Sequence, residues 1–167
     1  MDGALPGLVR ADHVGLTIPD LDEAVRFYTE VIGGVELYRL GPFDAAELPR
    51  SSDGRDWTDA HVNVPGARLR FAAVRIGRDF VIELFQYEKP NEAGRKPPRN
   101  SDPGGHHLAL RVADIEAAIA HLRERGVHLM EKIEIDEGPT AGQRSNYFLD
   151  PFGNHLELVE YERGTGA

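Results

Sequence analysis

Two stretches of the sequence resemble each other: HVGLTIPDLDEAV, residues 13–25, and HLALRVADIEAAI, residues 107–119. Aligned without gaps, they match His with His at the first position and Asp with Asp at the eighth. Two later stretches, VIELFQY from Val81 and HLELVEY from His155, share an apolar residue followed by Glu and Leu. An internal repeat of this kind predicts that the chain contains two related modules.

Each copy of the repeat predicts the same order of elements. Apolar and polar residues alternate from His13 and again from His107, as they do in a strand with one buried face. Asp20 and Asp114 then cap stripes of apolar residues at helical spacing, the first of which extends to Ile32, and glycines end both helices. Three more strands are predicted in each copy. We therefore expect an α+β protein with two tandem βαβββ modules.

The predicted boundaries follow from the repeat and from local composition. The first copy holds extra residues between its two signatures, and we place them in residues 41–66, a stretch with three prolines and little periodicity. We interpret this stretch as a long excursion or lid. The predicted organisation is an N-terminal extension (1–10), a single domain (11–162) made of module 1 (11–88), a linker (89–104) and module 2 (105–162), and a tail (163–167).

The composition excludes several classes of protein. The 167 residues carry 19 Lys and Arg against 28 Asp and Glu, and the resulting net charge of −9 repels a nucleic-acid backbone. The chain contains no cysteine, so any metal site must use nitrogen and oxygen donors. No stretch approaches the roughly 20 apolar residues that cross a membrane, and the first residues lack the layout of a signal peptide. We expect a cytoplasmic protein without nucleic-acid or membrane partners.

Four polar side chains are predicted on the sheet faces that lack a helix. Alternation in the first strand of each copy points His13 and His107 away from the apolar side. The same alternation in the last strand of each copy places Glu83 and Glu157 opposite to their apolar neighbours. Two imidazoles and two carboxylates suit one divalent ion of Zn, Ni, Co, Fe or Mn. The sequence therefore predicts a metal site formed by these four residues.

The modules resemble the vicinal oxygen chelate superfamily, which includes glyoxalase I, methylmalonyl-CoA epimerase, extradiol dioxygenases and fosfomycin or bleomycin resistance proteins. The resemblance rests on HVGLTIPDLDEAVRFYTEVIGG, GGHHLALRVADIEAAI and YFLDPFGNHLELVEY, and it covers about residues 11–162. It implies a glyoxalase-like fold, in which a curved mixed sheet surrounds a metal cleft, and a homodimer. It also implies that the metal chelates two adjacent oxygens of a small-molecule substrate.

The predicted metal ligands are most similar to those of glyoxalase I. This resemblance implies a metal-dependent isomerase or lyase, in which the ion acts as a Lewis acid and stabilises the enediolate of a small carbonyl compound. Glu83 and Glu157 are both candidates for the base that moves the proton. The sequence does not choose between them.

Two alternative functions remain open. An extradiol-type Fe(II) dioxygenase needs two histidines and one glutamate, which His13, His107 and Glu157 would supply. In that family an active-site tyrosine occupies the position of Tyr147. The second alternative is an antibiotic-binding resistance protein that uses the cleft without catalysis.

Four further side chains are predicted to contact the substrate. Arg111 lies on the face of His107, where it would pair with a substrate carboxylate or neutralise one of the two glutamates. His61 lies in the excursion and is a candidate proton carrier, and Trp57 offers a stacking surface. The predicted substrate-binding residues are therefore Arg111, Tyr147, Trp57 and His61.

Overall fold

The computed structural model describes residues 6–91 and 96–161. The chain divides into two compact units, Met1–Asn91 and Glu92–Ala167. The predicted tail (163–167) lies outside the described residues. So do parts of the predicted N-terminal extension (1–10) and of the predicted linker (89–104).

The first unit is a four-stranded sheet with one main helix. Its elements in chain order are β1 (His13–Thr17), α1 (Leu21–Arg26), a π-helical turn (Phe27–Val31), β2 (Val35–Asp44), α2 (Trp57–Val62), β3 (Arg68–Ile76) and β4 (Phe80–Lys89). The strands lie in the order β1-β4-β3-β2, with β1 parallel to β4 and the other neighbours antiparallel. The main helix α1 contacts β3 and β4.

The second unit repeats this arrangement. Its elements are β5 (His107–Arg111), α3 (Ile115–Glu124), β6 (Leu129–Glu134), β7 (Arg144–Leu149) and β8 (His155–Glu160). The strand order is β5-β8-β7-β6, again with one parallel pair, β5 and β8. The predicted α+β fold with two βαβββ modules is confirmed. In the part of the chain that is described, no helix is long and apolar enough to cross a membrane.

Both main helices begin with the predicted aspartate cap. Asp20 accepts a hydrogen bond from the backbone N–H of Glu23 at 2.9 Å, and Asp114 accepts one from Ala117 at 3.0 Å. Each cap therefore satisfies one of the backbone donors that the first turn of a helix leaves without a partner.

A second contact ties the start of each helix to its sheet. Gln86 Oε1 in β4 accepts a hydrogen bond from the N–H of Leu21 at 3.1 Å. Glu160 Oε2 in β8 accepts one from the N–H of Ile115 at 2.7 Å. Gln86 and Glu160 each lie three residues after a predicted metal-binding glutamate, so the same strand that carries that glutamate also positions the helix.

The first helix is shorter than the sequence predicts. The apolar stripe predicts a helix as far as Ile32, but α1 ends at Arg26 and the chain continues as the π-helical turn. The Thr29 hydroxyl donates to the carbonyl of Val25 at 2.7 Å, and the N–H of Ile32 reaches back five residues to Phe27. These bonds widen the helix by one residue while its apolar side remains on the sheet.

The predicted excursion contains more regular structure than its composition suggests. β2 extends through residues 41–44, with a register shift between Leu40 and Phe43. Because β2 is the edge strand of its sheet, it accommodates Pro42, which has no N–H to donate. The helix α2 occupies six further residues of the excursion.

Each sheet has one face against its main helix. Ile82 and Leu84 in β4 are fully buried on the side of α1, and two leucines take the same positions in β8. Because successive side chains of a strand point to opposite faces, Glu83 and Glu157 lie on the other face of their sheets. We call the face of each sheet opposite its main helix the far face.

Candidate active site

In the first unit, a histidine and a glutamate meet on the far face. β1 and β4 are parallel in a register that sets Gly15 beside Glu83, with His13 two residues earlier on the same face. His13 Nε2 lies 3.4 Å from Glu83 Oε2. Because Gly15 carries no side chain, the imidazole reaches the carboxylate across it.

The second unit repeats this pair. Ala109 lies beside Glu157, and His107 Nε2 lies 3.3 Å from Glu157 Oε2. The glutamate side chains are largely buried, with 17% of Glu83 and 10% of Glu157 exposed. An ionised carboxylate in such a position is costly unless a cation or a hydrogen bond compensates it, and in each unit a protonated histidine or a bound cation would supply that compensation.

Asp12 supports His13 and is a functional candidate that the sequence reasoning missed. His13 Nδ1 donates to Asp12 Oδ1 at 3.0 Å. This hydrogen bond raises the pKa of His13, to which the charge of Glu83 also contributes, and it lowers the pKa of Asp12. The repeat gave no signal for Asp12 because His106 holds the equivalent position in the second copy. With its proton on Nδ1, His13 presents Nε2 toward Glu83.

Tyr147 joins the pair in the second unit. It lies directly opposite Glu157 in the β7–β8 ladder. Its hydroxyl oxygen lies 3.3 Å from His107 Nε2, and the two rings meet edge to face at 5.1 Å. Burial raises the pKa of Tyr147, and the charge of Glu157 raises it further. The structure thus places this predicted substrate-binding residue among the predicted metal ligands of its unit.

Arg111 packs on an aromatic ring in the second unit. Its guanidinium lies over the ring of Tyr161, 5.0 Å from the centroid, as a cation–π contact. Among the described residues of the second unit, it forms no salt bridge with Glu157, and its pairing with a substrate carboxylate stays a prediction. The contact with Tyr161 holds this exposed residue at the end of β5, on the far face of the second unit.

An aromatic surface borders Glu83 in the first unit. Phe71 and Phe85 stack at 4.9 Å with 20° between their planes, and Tyr87 continues the stack at 6.4 Å from Phe85. All three are half-buried on the far face, and we call them the aromatic row. Phe71 was not singled out in the sequence, because only the pairing of β3 with β4 shows that it lies beside Phe85.

Trp57 and His61 connect to this surface through β2 and β3. Their rings stack at 5.0 Å on α2, and Trp57 contacts Phe43 at 6.3 Å. Phe43 lies opposite Leu69 in β3, which in turn lies opposite Tyr87 of the aromatic row. The two predicted substrate-binding residues are therefore linked to the aromatic row through Phe43 and the buried Leu69.

A buried nitrogen on the far face of the second unit lacks a hydrogen-bond partner among the described residues. It is Nδ1 of His155, which lies beside His107 in the β5–β8 ladder and two residues before Glu157. Buried polar atoms in native proteins are nearly always hydrogen-bonded. We therefore expect a polar group of a bound molecule, or an ion, to contact this nitrogen. The donor chemistry of this face thus fits a bound water, ligand or metal ion.

The four predicted metal ligands occur as two pairs, one in each unit. Each pair offers one imidazole nitrogen and one carboxylate oxygen, the donors that Zn, Ni, Co, Fe and Mn accept. Within residues 6–91 and 96–161, no three His, Asp or Glu side chains are gathered as a metal-binding group. That His13, Glu83, His107 and Glu157 serve a single ion stays a prediction.

Comparison with known proteins agrees with the fold and with the motifs. Residues 10–158 match the model of the Glyoxalase/Bleomycin resistance protein/Dioxygenase superfamily. The chain is 44% identical to a 2-epi-5-epi-valiolone epimerase from an Actinomyces species, covering 96% of this chain and 84% of that protein. It is 27% identical to the mitochondrial methylmalonyl-CoA epimerase of Homo sapiens, covering 96% and 77%. The solved structure of a glyoxalase family protein from Bacillus cereus superposes with a TM-score of 0.71 at 20% identity, covering 94% and 98%. The chain belongs to the Glyoxalase/Bleomycin resistance protein/Dioxygenase superfamily, as its motifs predicted.

Proposed function

We propose that this protein is an epimerase that removes and returns a proton at a carbon next to a carbonyl group. The observation that carries this proposal is the repeated pair of a histidine and a largely buried glutamate on the far face of each unit. Similarity to the Actinomyces epimerase over nearly the whole chain supports it. We propose 2-epi-5-epi-valiolone, or a closely related hydroxylated ketone, as the substrate.

Epimerisation at such a carbon is proton transfer in both directions. The C–H bond next to a carbonyl is acidic because the carbanion is delocalised onto the oxygen as an enolate. A base removes the proton from one side, and an acid returns it to the other side. We assign these two tasks to Glu83 and Glu157, whose carboxylates are the proton acceptors of the two pairs. The nearest imidazole nitrogens lie 3.4 Å from Glu83, in His13, and 3.3 Å from Glu157, in His107.

The donor set fits a divalent metal ion. His13, Glu83, His107 and Glu157 would hold Zn, Ni, Co, Fe or Mn through two nitrogens and two carboxylates. When bound, such an ion supplies Lewis-acid stabilisation of the negative charge that develops on the substrate oxygen. The hydrogen bond from His13 to Asp12 fixes the orientation of one imidazole, as is usual for metal-binding histidines.

The proposal is tested by proton exchange. Protein loaded separately with each of the five metals is incubated with 2-epi-5-epi-valiolone in deuterated water, and the substrate is followed by NMR. We expect inversion at one carbon, with deuterium incorporated at that carbon. The absence of both with every metal would contradict the proposed function.

Substitution of either glutamate tests the assignment of the proton carriers. Glu83→Gln and Glu157→Gln are each expected to lower kcat by roughly 10²- to 10⁴-fold, since a neutral amide cannot accept the proton. Glu131→Gln is the matched control, because Glu131 is exposed on β6. If both variants retain the activity of the control, the proton carriers lie elsewhere.

One contact favours a second candidate function. Tyr147 lies beside His107 and Glu157, which are two of the three residues that the extradiol dioxygenase alternative assigns to its iron. This candidate requires the Fe(II)-loaded protein to consume oxygen in the presence of a catechol. We expect no oxygen uptake if the protein is an epimerase, and uptake with ring cleavage would reverse the order of the two candidates.

A further inference from the structure

We infer that the aromatic row of the first unit binds the C–H side of a saturated, polyhydroxylated ring and so positions that ring beside Glu83. The inference rests on the proposed function in that the ring would be the substrate's own. It goes further by assigning a binding surface, its residues and the side of the ligand that it contacts.

The aromatic row is accessible although it consists of large apolar side chains. Phe71, Phe85 and Tyr87 are only half-buried, and Tyr38 extends the surface through an edge-to-face contact with Phe71 at 6.3 Å. Ligand sites are typically lined by aromatic side chains with a few polar groups that fix the orientation. Glu83 and His13 are the polar groups of this surface.

Phe85 lies close to the histidine–glutamate pair. It follows Glu83 by two residues on the same face of β4. A Cβ added to Gly15 would lie 3.4 Å from Phe85 Cε2, so the Phe85 ring leans over this glycine of β1. A ligand that contacts the ring of Phe85 therefore also lies next to the carboxylate.

The two phenylalanines of the aromatic row occur in the first unit and have no aromatic equivalent at the matching positions of the second, whereas Tyr87 is matched by Tyr161. Ser145 and Val159, which face each other across β7 and β8, hold the positions of Phe71 and Phe85. Since the glutamate, the histidine and the tyrosine are repeated but the phenylalanines are not, the stacked phenylalanines are not required by the fold. They are a specific property of the first unit.

The far end of this surface is closed by the excursion. Leu69 is only 3% exposed although it lies on the far face, and its neighbour Phe43 packs against Trp57 of α2. The hydroxyl of Thr58 in α2 accepts a hydrogen bond from the N–H of Ala67, which fixes α2 at the start of β3. The excursion therefore limits how far a ligand extends along the aromatic row.

The chemistry of this surface selects a ring with C–H bonds on one side. The face of an aromatic ring is electron-rich and attracts the positive ends of C–H bonds, which a saturated ring presents together on one side. The hydroxyl and carbonyl oxygens of the same ring project from its rim, where they reach polar groups such as His13. An open-chain polyol presents such a flat C–H side only when its chain is ordered, and that ordering costs conformational entropy.

Saturation-transfer NMR tests the inference without any reaction. The protein is irradiated at its aromatic protons, and transfer to the C–H protons of myo-inositol is compared with transfer to sorbitol, its open-chain counterpart with six carbons and six hydroxyls. We expect transfer to myo-inositol, and sorbitol to bind more weakly. Phe85→Leu is expected to weaken myo-inositol binding about 2- to 12-fold, the usual worth of one aromatic contact.

Two further variants complete the test. Phe71 is next in the stack, and Phe71→Leu is expected to weaken myo-inositol binding as Phe85→Leu does. If one of the two variants fails to fold, the other still tests the binding surface. Phe152→Leu is the control, because Phe152 lies in a turn of the second unit. Equal binding of the two polyols, no transfer to myo-inositol, or binding unaffected by both substitutions would overturn the inference.

These results are distinguishable from failure of the proposed function. Phe85-dependent binding of myo-inositol by a protein that never epimerises the ketone would refute the activity and leave the binding surface in place. Epimerisation with a KM that both substitutions leave unchanged would refute the binding surface and leave the activity.

Discussion

His13 is held by the carboxylate of its neighbour in the chain, Asp12. Glu83 lies on the other side of the imidazole, so both ring nitrogens have acidic partners. The contact with Asp12 places Nδ1 in a hydrogen bond, and Nε2, beside Glu83, is the nitrogen that would bind a metal ion together with that carboxylate. This is the arrangement by which residues outside the coordination sphere orient a metal-binding histidine.

Removing the Asp12 carboxylate is expected to weaken metal binding. Asp12→Ala frees the imidazole of His13 to rotate, and we expect the affinity for Zn or Co to fall about 10- to 100-fold. Competition with a metal-binding dye measures the affinity. Asp136→Ala, at an exposed aspartate of the second unit, is the control. Equal affinities of the two variants would show that Asp12 has no part in the metal site.

The same substitution has a predictable effect on the pKa of His13 in metal-free protein. The hydrogen bond to Asp12 raises this pKa above its ordinary value of 6.5, so Asp12→Ala is expected to lower it. Because the folded pKa is raised, protonation of His13 contributes stability that is fully present below pH 6.5 and is lost as the pH rises through the folded pKa. NMR titration of the histidine ring protons measures the shift, and a His13 pKa unchanged by the substitution would disprove the assignment.

At the scale of elements, the strands β4 and β8 each position a glutamate and also fix the start of a helix. Each carries a glutamate toward the far face, and three residues later each carries an acceptor for the first N–H of its helix, Gln86 in one strand and Glu160 in the other. Glu160 also accepts from Arg144 at 2.6 Å. The position of the catalytic candidates is therefore linked to the packing of the helices.

Glu160 offers a sharp test of this link. Glu160→Ala leaves the N–H of Ile115 without its acceptor, and we expect a loss of about 1–3 kcal/mol in the free energy of unfolding. Glu160→Gln keeps an acceptor, as Gln86 does in the first unit, and we expect it to retain most of the stability. Chemical denaturation measures both variants. Equal losses would show that the negative charge, and not the hydrogen bond, is what matters.

Elements were predictable where the pattern is local and less so where tertiary contacts intervene. The caps and strand alternation depend on residues close in sequence, and Asp20 and Asp114 cap their helices as expected. The end of α1 and the length of β2 depend on a side-chain hydrogen bond and on strand pairing, respectively. The Thr29 hydroxyl competes for a helix carbonyl, and β2 is completed by its pairing with β3.

At the scale of the whole molecule, we expect a homodimer. The family resemblance implies it, and the edge strand β2 exposes large apolar side chains, Val35, Leu37 and Leu40, each between 46% and 49% exposed. Such a strand edge favours association with another chain. Light scattering after size exclusion is expected to give about 37 kDa, twice the 18.5 kDa of one chain. A mass of one chain at all concentrations would contradict the expectation.

The sequence by itself determined the two-module architecture and the sheet face of each repeated residue. Both follow from short-range periodicity, which assigns Glu83 and Glu157 to the face opposite their apolar neighbours. Only the tertiary structure decided which side chains meet on that face. Tyr147 reaches His107 across 40 residues of sequence, and Phe71 stacks on Phe85 through the pairing of two strands. Such contacts depend on strand register, which is set by packing between segments distant in the chain and not by any local pattern.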